Sequence, residues 1–331
     1  MNGKRINRVL VALGVIGACV AAAPAMAQAY PAKQVTLVVP YGPGGNGDLA
    51  ARALAFVVAQ QKLAEVPIIV ENRDGAGGVI GTRHVMQSRP DGYTMLLARV
   101  GSQVVAPALE PATPYKWDDL TPIGLLEVDP YVCVVKADSP HKTFRQLLDA
   151  VKANPGKLSY ASTSNMDASV VFAVKAFLNV GAGVNAAIKV PYKGAGATVT
   201  ALLSGTVDFA CNAIAPYVGA LKAGTLRALV VSTPERVAEA PGAPTVAEIG
   251  MKDLEMVSGW SALFGPPNLP KDVVDYWANV LSRTKNYPGW LDQVRKRGTV
   301  PSILSPDETR RFAEEQFNAY RSLAQTIGNA K

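Results

Sequence analysis

Histidine is almost absent from this chain. His84 and His141 are the only two in 331 residues. Neither has a Ser/Asp or His/Glu partner at the spacing of a hydrolytic triad or a zinc site, so both classes are set aside. Cysteine is nearly as scarce. Cys19, Cys133 and Cys211 include no Cys-x-x-Cys pair. Cys133 and Cys211 each sit inside an apolar, strand-like run, and the favoured reading is two buried unpaired thiols, with a disulfide as the alternative. No basic run interleaved with aromatics is present, which sets nucleic-acid binding aside. Beyond the first 27 residues no apolar run is long enough to span a bilayer.

What is present at the N-terminus is a leader. Lys4, Arg5 and Arg8 precede the apolar stretch Val9–Ala23, and Ala25-Met26-Ala27 is a small-x-small cleavage site. This reads as a secretory signal cleaved near Ala27, which places the mature protein in the periplasm. A second reading, lipidation at Cys19 after Ile16-Gly17-Ala18, stays open. Without the leader, 33 basic residues less three leave 30 against 26 acidic, a balance of +4 that suits small anions. Hydrophobic content of 49% supports substantial cores.

From Tyr30 the pattern alternates strand and helix. Val35–Val39 reads as a buried strand. Gly42-Pro43-Gly44-Gly45-Asn46-Gly47 follows as a loop, then a helix over Asp48–Lys62 with Leu49, Ala53, Phe56 and Val57 on one face. Such a loop exposes backbone N–H groups at a positive helix end, an anion site that any Cβ would obstruct. Tyr41, at the strand exit, is a further candidate. Arg52 reads as a structural ion pair with Asp48 or Glu71, and Asp91 and Asp208 as turn residues.

The alternation continues through two α/β sets, with proline and acid thickening around Glu110–Asp129. The expected architecture is α/β with two domains, each a mostly parallel sheet flanked by helices. The first is discontinuous, residues 30–127 plus 247–331. The second, 128–246, includes both crossings. Ligands of open α/β sheets sit beyond the strands' carboxyl ends, where the glycine- and hydroxyl-rich loops fall.

Gly42-x-Gly44-x-x-Gly47, with Glu71 ending the next strand, also satisfies the dinucleotide-binding pattern. An exported dinucleotide-dependent oxidoreductase is therefore the alternative from another class. Pro40-Tyr41 displaces the first glycine from the strand, and the second domain offers no hydride or proton-transfer centre.

A series of motifs then carries a family likeness. It runs Pro43-Gly44-Gly45-x-x-Asp48-x-x-Ala51-Arg52, Glu71-Asn72-Arg73-x-Gly75-Ala76-Gly77-Gly78-x-Ile80-Gly81, Pro90-Asp91-Gly92-Tyr93-Thr94 and Pro191-Tyr192-Lys193-Gly194. Leu202-Leu203-Ser204-Gly205-x-Val207-Asp208-Phe209 completes it. In order and spacing it resembles the extracytoplasmic solute receptors of tripartite tricarboxylate transporters, the Bug family, over nearly the whole mature chain. The resemblance implies a two-lobed, Venus-flytrap periplasmic binding protein and not an enzyme. It implies a small organic acid held in the cleft and passed to integral membrane subunits, or read by a signalling partner. No cofactor, metal or nucleic acid is implied, and the expected state is a monomer.

Carried over by position, the ligand-binding residues are Gly44, Gly45, Asn46, Gly47 and Asp48 from the first domain. Ser162, Thr163, Ser164, Asn165 and Met166 come from the second, with Gly194, Ala195, Gly196 and Asn212 as a third group. The second-domain loop has less glycine than is usual in the family. Asp167, in that neighbourhood, reads as a helix cap. Gln103 stands where a histidine is common.

Overall fold

A computed structural model describes residues 30–162, 168–192 and 195–329. The leader, residues 163–167 and residues 193 and 194 lie outside the described residues, and with them the expectations for Thr163, Ser164, Asn165, Met166, Asp167 and Gly194.

The run VTLVV forms β1 (Val35–Val39), buried on both faces as its unbroken apolar character requires. It is followed by α1 (Asn46–Gln60), β2 (Ile68–Asn72), α2 (Val79–Met86) and β3 (Thr94–Arg99). A π-helical turn (Gly101–Val105) runs into α3 (Ala106–Leu109), and β4 (Thr121–Asp129) ends this half. After Pro130 come β5 (Tyr131–Lys136), α4 (Phe144–Ala153), β6 (Ser159–Ser162) and α5 (Ala168–Asn179). Next are β7 (Ile188–Pro191), α6 (Ala195–Leu203), β8 (Phe209–Ala213), α7 (Val218–Lys222) and β9 (Leu226–Val231). The chain then returns through β10 (Gly259–Gly265), α8 (Lys271–Thr284), α9 (Pro288–Lys296), β11 (Val300–Pro301) and α10 (Pro306–Asn329).

The strands form two sheets, ordered β11-β4-β10-β3-β1-β2 and β7-β6-β8-β5-β9. The α/β class with two helix-flanked sheets is met, but each sheet is parallel only in part. β1 pairs in parallel with β2 and β3, whereas β10 runs antiparallel to β3 and β4. In the second sheet β6 is parallel to β7 and β8, and β5 antiparallel to β8 and β9. The cause is the crossing. β4 carries the chain out of the first sheet and β10 carries it back, so the two must run in opposite senses. A continuous apolar core joins the sheets, from Val38 and Leu96 through Trp260 to Phe172 and Phe209. Residues 31–331 form one compact unit by contact. Trp260 donates its indole N–H to Gln316 at 2.8 Å, fixing α10 against β10.

Three expectations are corrected. The buried face of α1 is Ala50, Ala51, Ala53, Leu54, Val57 and Val58, so Leu49 and Phe56 turn outward. The helix begins at Asn46, and Ala50, Ala51 and Ala53 pack inward with Leu54, Val57 and Val58. Within Glu110–Asp129, where proline and acid thicken and no strand was expected, Thr121–Asp129 is a strand with Glu127 and Asp129 fully buried. Cys133 and Cys211 are bonded, not free. They stand opposite each other in the antiparallel β5–β8 register with Cα atoms 4.0 Å apart. Facing residues of an antiparallel pair that share no ladder hydrogen bond bring their side chains closest.

Candidate functional site

The chain leaves β1 through Pro40 and Tyr41 and enters α1 at the glycine loop. Gly44 has φ +78°, a left-handed conformation that an L side chain disfavours. Gly45, with φ −77° and ψ 167°, is the N-cap and supplies no capping side chain. The first-turn amides of α1 therefore face outward at the positive end of the helix dipole.

The Asp48 side chain, named among the expected ligand-binding residues, is held within the loop. It is buried, and its carboxylate accepts the Gly44 amide at 2.9 Å and both its oxygens accept Arg52 Nε at 3.0 Å. Burial by itself would push this carboxyl up. The hydrogen bonds from Arg52, Gly44 and Asn72 outweigh burial and hold it below the usual carboxylate range. Asp48 is thus the clamp that fixes the loop, and Arg52 forms the structural ion pair expected of it, at 2.9 Å. Arg52 also donates to Asn72 Oδ1 at 3.3 Å, and Asn72 in turn donates to the Tyr41 carbonyl at 3.0 Å.

The second glycine loop exists to receive Tyr41. The Tyr41 hydroxyl donates to the Gly77 carbonyl at 3.0 Å. A Cβ on Gly78 would come within 2.9 Å of the ring, and one on Gly101 within 2.7 Å of the hydroxyl. Burial pushes the Tyr41 phenol up, so it stays a neutral donor. Glu71, the acidic member of the dinucleotide pattern, is tied to Arg73 at 2.6 Å. Asp91 accepts the Tyr93 amide, and Asp208 the amide and hydroxyl of Ser159, so both are structural.

These loops open into a cleft of about 1100 Å³ lined from both sheets. Tyr41, Gly44, Gly45, Asn46 and Gly47 line it from the first, Gly196 and Asn212 from the second. Asp48 and Ser162 are buried away from its lining, and Ala195 opens α6 beside Gly196. Gln103 is also buried outside the lining, where its Nε2 donates to the Trp117 carbonyl at 2.7 Å. Asn212 is only 6% exposed, its Oδ1 accepts the Ala213 amide at 2.8 Å, and its Nδ2 has no partner among the described residues.

Two cleft arginines escaped the sequence reading. The Arg99 stem lies beside Gly47, its Cδ 3.3 Å from where a Cβ would stand. Its head donates to Ser261 Oγ at 2.6 Å and pairs with the buried Asp129. Burial opposes the Arg99 charge, but Asp129 and Glu127 more than restore it. Arg297 pairs with the fully buried Glu127, which also accepts Ser261 Oγ at 3.1 Å and Thr299 Oγ1 at 3.3 Å. Neither arginine belongs to a motif. Only the buried acids on β4 that require partners mark them. Most of the remaining newcomers are apolar, among them Val105, Ala106, Leu109 and Pro216, and Glu110 adds a carboxylate. Among the described residues no group of three or more His, Cys, Asp or Glu could hold a metal. The amino end of α1, without a side-chain cap, is open to this cleft.

Known proteins share the sequence and the fold of this chain. Residues 50–329 match a family model described as the tripartite tricarboxylate transporter family receptor. Protein BugT of Bordetella pertussis is 30% identical over 326 residues, 98% of each chain. The solved periplasmic binding protein BugD is 29% identical with a TM-score of 0.75, over 90% of this chain and 99% of its own. MatC of Rhodopseudomonas palustris, solved with bound malate, is 26% identical with a TM-score of 0.76. The match covers 89% of this chain and all of that one.

Proposed function

The chain belongs to the tripartite tricarboxylate transporter family of receptors, and from that premise we propose that it captures a small carboxylate between two lobes and delivers it to integral membrane subunits. The observation that carries the reading is the uncapped amino end of α1 opening into a cleft that Gly196 and Asn212 line from the other sheet. The first-turn amides supply fixed dipoles at no cost in buried charge. Residues 30–127 with 247–331 act as one lobe and 128–246 as the other. Contacts to both lobes favour the closed form, and closure creates the surface a membrane partner reads. The protein works as a monomer in the periplasm after cleavage near Ala27. None of the described helices is long and apolar enough to cross a membrane. It acts as a receptor and not as a catalyst, in keeping with a family of receptors.

The test is a calorimetric and thermal-shift screen of malate, adipate, citrate, hexanoate and phenylacetate, followed by Gly45→Val. An acid at 100 times its dissociation constant should stabilise the protein by about 2.7 kcal/mol. Gly45 has an ordinary extended backbone, and the nearest atom to a Cβ there is 3.6 Å away. Gly45→Val should therefore abolish binding while the unliganded protein melts as before. Retained affinity in that variant removes the loop from the site.

A further inference from the structure

We infer that the ligand carries one carboxylate and an otherwise apolar body, so that di- and tricarboxylates are the poorer ligands of this receptor. The inference rests on the receptor reading above and names its substrate class.

The first ground is charge. Both guanidiniums that reach the cleft are already neutralised, Arg99 by Asp129 and Arg297 by Glu127, each acid being buried behind its partner. Arg52 is committed to Asp48. The described lining therefore offers hydrogen-bond donors without net positive charge. Its one carboxylate, Glu110, is exposed and forms no ion pair among the described residues. A second ligand carboxylate finds no free cation there and meets a like charge.

The second ground is the wall. Leu49 is 41% exposed on α1 yet lines the cleft, one turn past the amides. Val105, Ala106 and Leu109 line it from the π-turn and α3, and Tyr131 and Pro216 add surface from the other side of the crossing. A charged group placed against such a surface loses its water without a replacement, whereas a methylene chain or ring gains about 25 cal/mol for each Å² buried. The third ground is the count of open donors. Among the described residues, the uncapped end of α1 and the buried Asn212 Nδ2, which has no partner among them, stand as open donors for one carboxylate.

Isothermal titration of the mature protein with hexanoate, phenylacetate, adipate and citrate tests this. Hexanoate or phenylacetate should bind at least about tenfold tighter than adipate, a difference of about 1.4 kcal/mol. Glu110→Gln should tighten adipate several-fold and leave hexanoate unchanged. Leu49→Ser, at a half-exposed site, should weaken phenylacetate several-fold without lowering the melting temperature. If adipate or citrate binds as tightly as hexanoate, or Glu110→Gln leaves adipate unmoved, the single-carboxylate inference is overturned and the receptor reading stands. If none of the acids binds, both are overturned.

Discussion

Gly44 and Gly45 are neighbours in sequence with opposite backbone demands. Gly44 sits at φ +78° with nothing within 4 Å of a Cβ position, so its constraint is conformational and not spatial. Gly44→Ala should cost about 1–2 kcal/mol of unfolding free energy, the left-handed penalty of an L residue. Gly45→Ala, at an N-cap with an ordinary extended backbone, should cost less, about 0.5–1 kcal/mol. Urea denaturation of the two variants separates them. Asp48 carries the other residue-scale prediction. Its carboxyl is held below the ordinary range in the folded state. Its stabilising contribution is therefore complete above the unfolded value of about 3.9 and is lost as pH falls through the folded value. Asp48→Asn should lower stability at neutral pH and flatten the acid limb of a stability–pH curve measured from pH 7 to pH 2. An unchanged acid limb would show that the clamp adds nothing.

Among the elements, β5 and β8 make the most testable claim. Their register sets Cys133 opposite Cys211, and the bond closes a separation of 78 residues. Reduction, or Cys133→Ala with Cys211→Ala, should remove about 2–5 kcal/mol of stability, since the unfolded chain regains the freedom of that loop. Thiol alkylation of the denatured, non-reduced protein should label neither cysteine. Labelling of both would restore the free-thiol reading. β4 teaches a complementary lesson. Glu127 and Asp129 stand in the acid-rich stretch where no strand was expected, yet Thr121–Asp129 is a buried strand in which Arg297 and Arg99 neutralise both acids. Local propensity counts the charges in a segment but has no access to distant partners.

For the whole molecule, the decisive feature is that the two sheets share one core and one cleft. The turn after α9 brings Gly298 against Ile214 and Val218, and Arg297 onto Glu127, so the last third of the chain braces the crossing. Arg297→Met should leave Glu127 charged and unpaired in the interior, at a cost of about 3–5 kcal/mol. A chemical-denaturation midpoint that hardly moves would argue against that bracing.

The alternation of apolar strands with helices, the glycine loop at a helix start and the motif order were all legible in the chain, because each depends on residues a few positions apart. The ion pair of Arg52 with Asp48, one helical turn apart, was legible for the same reason. The cleft's arginines, the cystine and the outward turn of Leu49 were not. Arg99 lies 30 residues from Asp129 and Arg297 lies 170 from Glu127, and only packing brings such pairs together. Sequence periodicity shows that a helix has an apolar face, but only packing decided that Ala50, Leu54 and Val57 face the interior while Leu49 is left to the cleft.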